Sequence, residues 1–303
     1  MTIRPLDLLD LPVIARYRND VLTLDSARAL TRGHPLGAMG LLAYINPSRH
    51  VYAAIDNSNN AALLGGVIHT RGEMFAKLLY LAPASNLNDP NLPALIEHLS
   101  AQAGEWQAAH VIAEVDETSD VFPALRMAGF SVYAWQRVWD VSLLEKTGAN
   151  SNPSWRRVRS VDLPAVQSLH YQIVPQLLHP VEPAPNRAAG YVHEDMRCFA
   201  NRMTGMYGTV LTPLIHPEED GVSEKIFSLV SGLPDRRPVY LNVRSYQAWL
   251  EPVLEDLGAK ASARQAVMVK HLARLAMNGQ PARVIPTNVG VQPSRISRME
   301  LDE

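Results

Sequence analysis

A chain of 303 residues, 47% hydrophobic and 19% charged, carries enough apolar material for two domains of ordinary size and does not have a disordered composition. Its 28 basic and 30 acidic residues leave a net charge of −2 with no long run of either sign, which removes the main electrostatic reason to expect nucleic acid or an anionic membrane as partner. The single cysteine, Cys198, cannot form an internal disulfide, the opening Met1-Thr2-Ile3-Arg4-Pro5-Leu6-Asp7 is too charged for a signal sequence, and no apolar stretch reaches the ~18 residues of a membrane span, so a cytoplasmic protein is expected.

In chain order, a short strand over Thr2 to Pro5 leads into an amphipathic helix from about Asp10 to Asn19, with Leu11, Ile14 and Tyr17 on its buried side. Residues 23–49 carry Gly33, Pro35, Gly37, Gly40 and Pro47 around the apolar patch Met39 to Ile45, which reads as a second helix between irregular loops. Val51–Ile55 and Leu63–Thr70, separated by Asp56-Asn57-Ser58-Asn59-Asn60, form a hairpin, and Phe75–Leu81 adds a third strand. Asp89-Pro90 reads as an N-cap with proline at the first helical position, opening a helix that uses Leu92, Leu95, Ile96 and Leu99 and ends near Gly104. Val111–Val115 is a buried strand, Val121–Ala128 a helix stopped by Gly129, and Val132–Val141 closes the unit.

After the polar stretch Thr147 to Pro153 the order repeats in shorter form. A helix over Asp162–Val174 precedes a proline-rich loop with Pro175, Pro180, Pro183 and Pro185. Strands follow near 189–193, 196–202 and 207–215, then a helix at Ser223–Val230, a strand at Val239–Val243, a helix at Tyr246–Leu257 and a strand at Ala266–Lys270. Past Met277 the chain reads as a loose tail.

The repeat is visible in the residues themselves. Asp10-Leu11-Pro12-Val13-Ile14 recurs as Asp162-Leu163-Pro164-Ala165-Val166, each with an arginine six residues upstream, Arg4 and Arg156. Leu125, Gly129, Gln136 and Val138 recur at the same spacing as Leu254, Gly258, Gln265 and Val267. Asp10 to Asp162 is 152 residues and Gln136 to Gln265 is 129, so the second copy is about 23 residues shorter. The division expected is 1–146, 154–275 and a tail at 276–303.

With this element order, the Arg-x5-Asp-Leu-Pro opening and the helix-Gly-Phe-strand ending at Leu125–Val138, the chain resembles the GCN5-related N-acetyltransferase superfamily, in a tandem two-domain arrangement. The resemblance implies an α/β fold, each unit a mixed, mostly antiparallel sheet flanked by helices. It implies acetyl-CoA or another acyl-CoA as co-substrate and a small-molecule or peptide amine as acceptor; nothing in it implies a metal, a nucleic acid or a membrane, and it leaves the oligomeric state open.

By the same resemblance, the acyl-CoA diphosphate is expected at the turn between the central strand and the following helix, on bare backbone N–H groups. The positions implied are Leu81, Ala82, Pro83, Asn86 and Asn88 in the first copy and Ile215, Gly221 and Ser223 in the second. The first of these turns, Pro83 to Pro90, has no glycine and no basic residue, and Asp89 puts a negative charge there, so an ordinary capped helix is the favoured reading. The second has one glycine and three acids, Glu218, Glu219 and Asp220. The position where the family places a tyrosine general acid holds Leu125 and Leu254. Glu114 is the carboxylate nearest the expected cleft and is the candidate base, with Tyr133 and Tyr246 as substitute acids. Because those departures remove the usual groups from both copies, a catalytically degenerate binding or structural protein is the alternative.

Histidines are plentiful but no His-Glu-x-x-His or paired Cys-x-x-Cys spacing occurs, so no metal site is expected. Cys198 sits in a strand pattern and is expected to be a buried, inert thiol.

Overall fold

The computed structural model describes residues 3–37, 48–57, 62–144, 154–233 and 237–272. In the first copy β1 (Ile3–Pro5), α1 (Leu11–Tyr17), β2 (Leu22–Thr23), α2 (Ser26–Arg32), β3 (Arg49–Asp56), β4 (Leu63–Thr70), β5 (Phe75–Ala82), α3 (Leu92–Glu105), β6 (His110–Asp116), α4 (Phe122–Met127) and β7 (Ser131–Asp140) follow one another. In the second come β8 (Trp155–Arg157), α5 (Leu163–Ile173), β9 (Tyr191–His193), β10 (Cys198–Thr204), β11 (Thr209–Ile215), α6 (Val222–Ser231), β12 (Val239–Arg244), α7 (Leu250–Asp256), β13 (Lys260–Ala261) and β14 (Gln265–His271). The fold is α/β, as expected, and among the described residues no helix is long and apolar enough to cross a membrane.

Two local readings need correction, and a third is not tested. The stretch after the first helix, where irregular loop is expected, holds β2 and α2, and α2 starts where the Asp25 carboxylate accepts from Arg28 N at 3.3 Å. The helix expected over Met39–Ile45 lies outside the described residues. The Asp89-Pro90 cap is displaced: α3 begins at Leu92, with Pro93 rather than Pro90 in its first turn. Asp89 instead closes the preceding turn, accepting from Asn91 N at 2.9 Å.

The strands form one sheet in the order β1-β3-β4-β5-β6-β14-β7-β12-β11-β10-β9-β8, with β2 added to β5 and β13 to β7. Read outward from its middle, this order is symmetric: β6, β5, β4, β3, β1 on one side and β12, β11, β10, β9, β8 on the other. Each side has one parallel pair, β5 with β6 and β11 with β12. At the centre the copies exchange their last strands, for β14 pairs with β6 of the first copy and β7 with β12 of the second. The two exchanged strands lie against each other with Gln265 opposite Gln136, the repeat-matched glutamines. Two separate sheets were the simplest reading of the repeat; the structure joins them into one through this exchange.

The sequence repeats have matching physical jobs. Arg4 grips the Asp10 carboxylate with both terminal nitrogens at 2.8 and 2.6 Å, and Asp10 also accepts from Asp7 N. Arg156 does the same to Asp162 at 2.6 and 2.8 Å, with Arg159 N as the backbone donor. A bidentate guanidinium fixes both distance and orientation, so each pair clamps the first strand to the entry of the first helix. Gly129 (φ +85°) and Gly258 (φ +81°) end α4 and α7 in the left-handed region. There Phe130 N and Ala259 N donate to the carbonyls of Leu125 and Leu254. Those leucines are at most 1% exposed and belong to the two main cores, α3 and α4 on the first half-sheet and α6 and α7 on the second.

Candidate functional site

Both copies open a cleft in the same place. β5 and β6 pair only from Phe75–Lys77 against His110–Ile112 before diverging, and β11 and β12 only from Thr209–Leu211 against Val239–Leu241. What fills the two clefts differs.

In the first copy the chain fills its own cleft. β4 and β5 slip register between Gly66 and Val67, leaving Leu79 as the extra residue of a bulge that bends β5 away from β6. Into that gap runs β2, with Leu22 opposite Leu81 and Thr23 opposite Tyr80. Leu24 N donates to Leu79 O and Leu24 O accepts from Glu114 N, both at 2.9 Å, so one residue bridges the diverging strands. Leu24 is 1% exposed. The expected diphosphate positions follow from this: Leu81, Ala82 and Pro83 are buried, Asn86 donates to Asp89 at 3.3 Å, and Asn88 is exposed.

The second cleft has no such strand. β11 pairs with β10 and, up to Leu211, with β12; among the described residues no strand covers its remaining edge. His216 N donates to Arg197 O and Thr209 N to Pro238 O, an alternation that turns the backbone groups of Leu211, Pro213 and Ile215 toward the cleft. Pro213 has no N–H to leave unpaired there, and Ile215 O accepts from the Gln247 amide at 3.0 Å.

At the end of β11 the chain turns through His216–Gly221 into α6. Gly221 takes φ +64°, and the first-turn N–H groups of α6, including that of Ser223, point out of the helix end. An open groove of about 410 Å³ lies beside this turn, lined among others by Ser168, Leu169 and Gln172 of α5 and by Met196, Arg197 and His216. The acids expected to oppose an anion here are partly neutralised. Arg197 pairs with Glu219 at 3.0 Å, and Lys225 sits on both Asp195, at 2.7 Å, and Glu219. Arg197 is exposed, flanks the turn and lies 19 residues away in the chain, so no local motif marks it.

The three catalytic candidates, Glu114, Tyr133 and Tyr246, come together in one partly buried polar network where the copies exchange strands. Its hub is a residue the sequence did not single out, Glu182 of the proline-rich loop. Tyr133 donates to one Glu182 oxygen at 3.0 Å, Tyr246 to the other at 2.7 Å, and Arg244 Nε lies 2.9 Å from the first. Arg244 also donates to Gln136, which donates to Gln265 at 2.9 Å, which donates to Asp116 at 3.0 Å. Burial and the Glu182 charge push both phenols far above the ordinary tyrosine range, and burial alone would lower Arg244 but the surrounding Glu182, Tyr133 and Glu114 raise it.

Glu114, 3% exposed, accepts from Ser26 N at 2.9 Å and faces the Lys77 ammonium at 3.9 Å. Burial pushes its carboxyl up, but Lys77, Arg244 and the Ser26 hydrogen bond outweigh that and hold it below the usual range. Lys77, half-buried and also 3.1 Å from Asp25, is raised by these two acids despite its desolvation. Glu114 is therefore placed as an anchor for α2 and a counter-ion, an ionised group of low basicity. Cys198 is fully buried, and burial pushes its thiol up to about 12.

No family model and no curated protein matches the sequence. Solved structures do match across both copies. A GCN5-related N-acetyltransferase from Sphaerobacter thermophilus superposes with a TM-score of 0.52 at 13% identity, over 89% of this chain and 95% of the other. A candidate acetyltransferase from Pyrococcus horikoshii gives 0.50 at 11% identity over 90% and 89%. A Drosophila protein gives 0.50 at 11% identity over 89% and 98%. The fold is that of the GCN5-related N-acetyltransferases. Here it is present twice in one chain, in the tandem form that the internal repeat indicates.

Proposed function

We propose that the protein is an acyl-CoA-dependent N-acetyltransferase that holds acetyl-CoA, or another acyl-CoA, in its second copy and transfers the acyl group to a small-molecule or peptide amine. The observation that carries this reading is the edge of β11 beyond Leu211, which no strand covers among the described residues, next to the Arg197 groove and the start of α6. Strand backbone facing a cleft can hold the amide-rich arm of an acyl-CoA, while Arg197 and the N–H groups at Gly221 to Ser223 supply positive charge for the diphosphate. Leu81, Ala82, Pro83, Asn86 and Asn88 of the first copy have no part in this assignment, since Leu22–Leu24 takes the edge they would serve. The acceptor amine would lose its proton to ordered water, because Glu114 is ion-paired and both tyrosines already donate to Glu182.

A second reading is favoured by the self-filled first cleft and by the buried leucines at both general-acid positions: a binding or structural protein that keeps the fold without the chemistry. Calorimetric titration with acetyl-CoA and desulfo-CoA separates the two. The enzyme reading expects binding that weakens in Arg197→Ala by about 1.5–3 kcal/mol, roughly 10- to 150-fold, with Asp89→Gly unchanged. Undetectable binding of both ligands to the wild type leaves the second reading.

A further inference from the structure

We propose that Arg244, Tyr133 and Tyr246 form a carboxylate receptor, occupied in the free chain by Glu182 as an internal stand-in, and that the acceptor is an amine carrying a carboxylate. This rests on the acetyltransferase reading for the word acceptor, but the receptor itself rests only on geometry.

The three donors come from three separate places in the fold: the exchanged strand β7, the end of β12 and the turn after it. All converge on one carboxylate. Tyr133 and Arg244 meet one oxygen at 3.0 and 2.9 Å and Tyr246 meets the other at 2.7 Å. A guanidinium with two hydroxyl donors matches the acceptor-only chemistry of an ionised carboxylate. Their partial burial, with the Arg244 side chain 14% exposed, makes it costly to leave them empty.

The group that fills the receptor is held differently from the group that forms it. Tyr133 and Arg244 are fixed in regular strands, whereas Glu182 rides on the irregular run Val174 to Gly190, whose only regular element is the short 3-10 turn Gln176–Leu178. That run is held by backbone turns, among them Glu182 N donating to Leu178 O at 2.7 Å, and by side-chain tethers, among them His170 Nε2 donating to Glu182 O at 3.1 Å and Gln167 donating to Pro185 O at 3.0 Å. Both tethers start on α5, which also forms one wall of the groove. Tyr246 packs in the same apolar cluster as Leu169 and Met196, which line that groove. The receptor and the proposed acyl-CoA groove are therefore linked through one apolar cluster. A ligand reaching the receptor would displace a loop side chain and leave the sheet intact.

Glu182→Ala removes the stand-in and leaves space of carboxylate size among the three donors. Its melting temperature should fall, on the order of 10 °C, because the largely enclosed Arg244 guanidinium loses its partner. Titration with acetate, propionate or β-alanine should restore most of that loss saturably, while acetamide and chloride should not. Glu182→Gln fills the space with a neutral group and should show no carboxylate-dependent shift. The same three carboxylates should stabilise the wild type less than Glu182→Ala, since they must compete with Glu182.

Absence of carboxylate-specific recovery in Glu182→Ala would overturn the receptor. So would a Glu182→Ala protein that folds under no condition while Glu182→Gln folds, since the side chain would then be a packing element and not a displaceable ligand. These readouts need no acyl-CoA. A rescued variant that binds no acyl-CoA keeps the receptor and removes the enzyme reading, and acyl-CoA binding without rescue does the reverse.

Discussion

The two copies agree at their joints and disagree at their clefts. Arg4–Asp10 and Arg156–Asp162 have the same two-pronged geometry, and Gly129 and Gly258 end their helices with the same backbone turn. Between those joints the first copy has a bulged β5 and a cleft closed by β2, while the second has an unbroken β10–β11 register and an edge that, among the described residues, carries no strand. A joint tolerates little change because any substitution moves two elements relative to each other. A cleft can be filled by many different segments without disturbing the sheet around it. The repeat therefore survives where geometry is fixed and fades where a ligand would bind.

The sharpest way to break this contrast is at Glu114, which a catalytic reading and an anchoring reading treat differently. Glu114→Gln leaves the Lys77 ammonium with only Asp25 and removes the charge that Ser26 N donates to, at the start of α2. Losing one member of a buried ion pair costs about 3–5 kcal/mol, with Asp25 keeping the effect toward the lower figure. The expected outcome is a large drop in denaturant midpoint with turnover per folded molecule nearly unchanged. A loss of about 10²–10⁴ in kcat at normal stability would restore Glu114 as the base.

Leu24→Ala tests whether the first cleft is filled by core or by a lid. Leu24 bridges β5 and β6 and packs in the apolar core of the first copy, so truncation should cost about 2–5 kcal/mol in chemical denaturation. Acyl-CoA affinity should not improve. An affinity gain in that variant would mean that the first cleft is a gated site and that the contrast between the copies is one of occupancy alone.

How much of this was legible in the sequence follows from what kind of interaction carries each feature. The clamps and glycine ends are local, joining residues six apart or at a helix end, so their repeat in the chain revealed the duplication. Most strands were readable from their apolar runs. The exchange of β7 and β14 was not, because an alternating strand pattern says which face is buried and nothing about which neighbour it pairs with. β2 has two residues, too few to show a period, and α2 lies beside Gly33 and Pro35, whose turn signals dominated that stretch. Glu114 stands out in the sequence as the carboxylate at the end of a central strand, and Tyr133 and Tyr246 as substitutes for the acid missing at Leu125 and Leu254; the structure brings the three together. Glu182, which ties both tyrosines and Arg244, sits in a proline-rich loop with no pattern of its own.

The helix ends sharpen the comparison from the other direction. An alanine at Gly258 would meet nothing within 4 Å, and one at Gly129 would make only ordinary contact with Lys270 at 3.7 Å. Each substitution therefore reports backbone strain alone, about 1–2 kcal/mol for an L residue held at positive φ. Gly129→Ala and Gly258→Ala should lower stability equally. A markedly larger loss at one position would show that the copies differ at their joints as well as at their clefts.

The smallest expected effect lies in the acid limb of stability, where the two clamps should act alike. Arg4 and Asp7 N hold Asp10 below the ordinary carboxylate range, and Arg156 and Arg159 N hold Asp162 below it as well. A folded-state value depressed in this way means that the unfolded chain binds the proton first. The stabilisation is then present above the unfolded value near pH 4 and is lost as the pH falls through the lower folded values. Asp10→Asn and Asp162→Asn should each flatten the decline of melting temperature below about pH 4, leaving the profile near neutrality parallel to that of the wild type. The arginines stand partly in water, so each flattening should be modest, and the double variant should show the two together. A pH profile in which only one of the substitutions has an effect would mean that only one clamp still holds its helix, and the duplication would then be preserved in sequence at a joint where its physical role has lapsed.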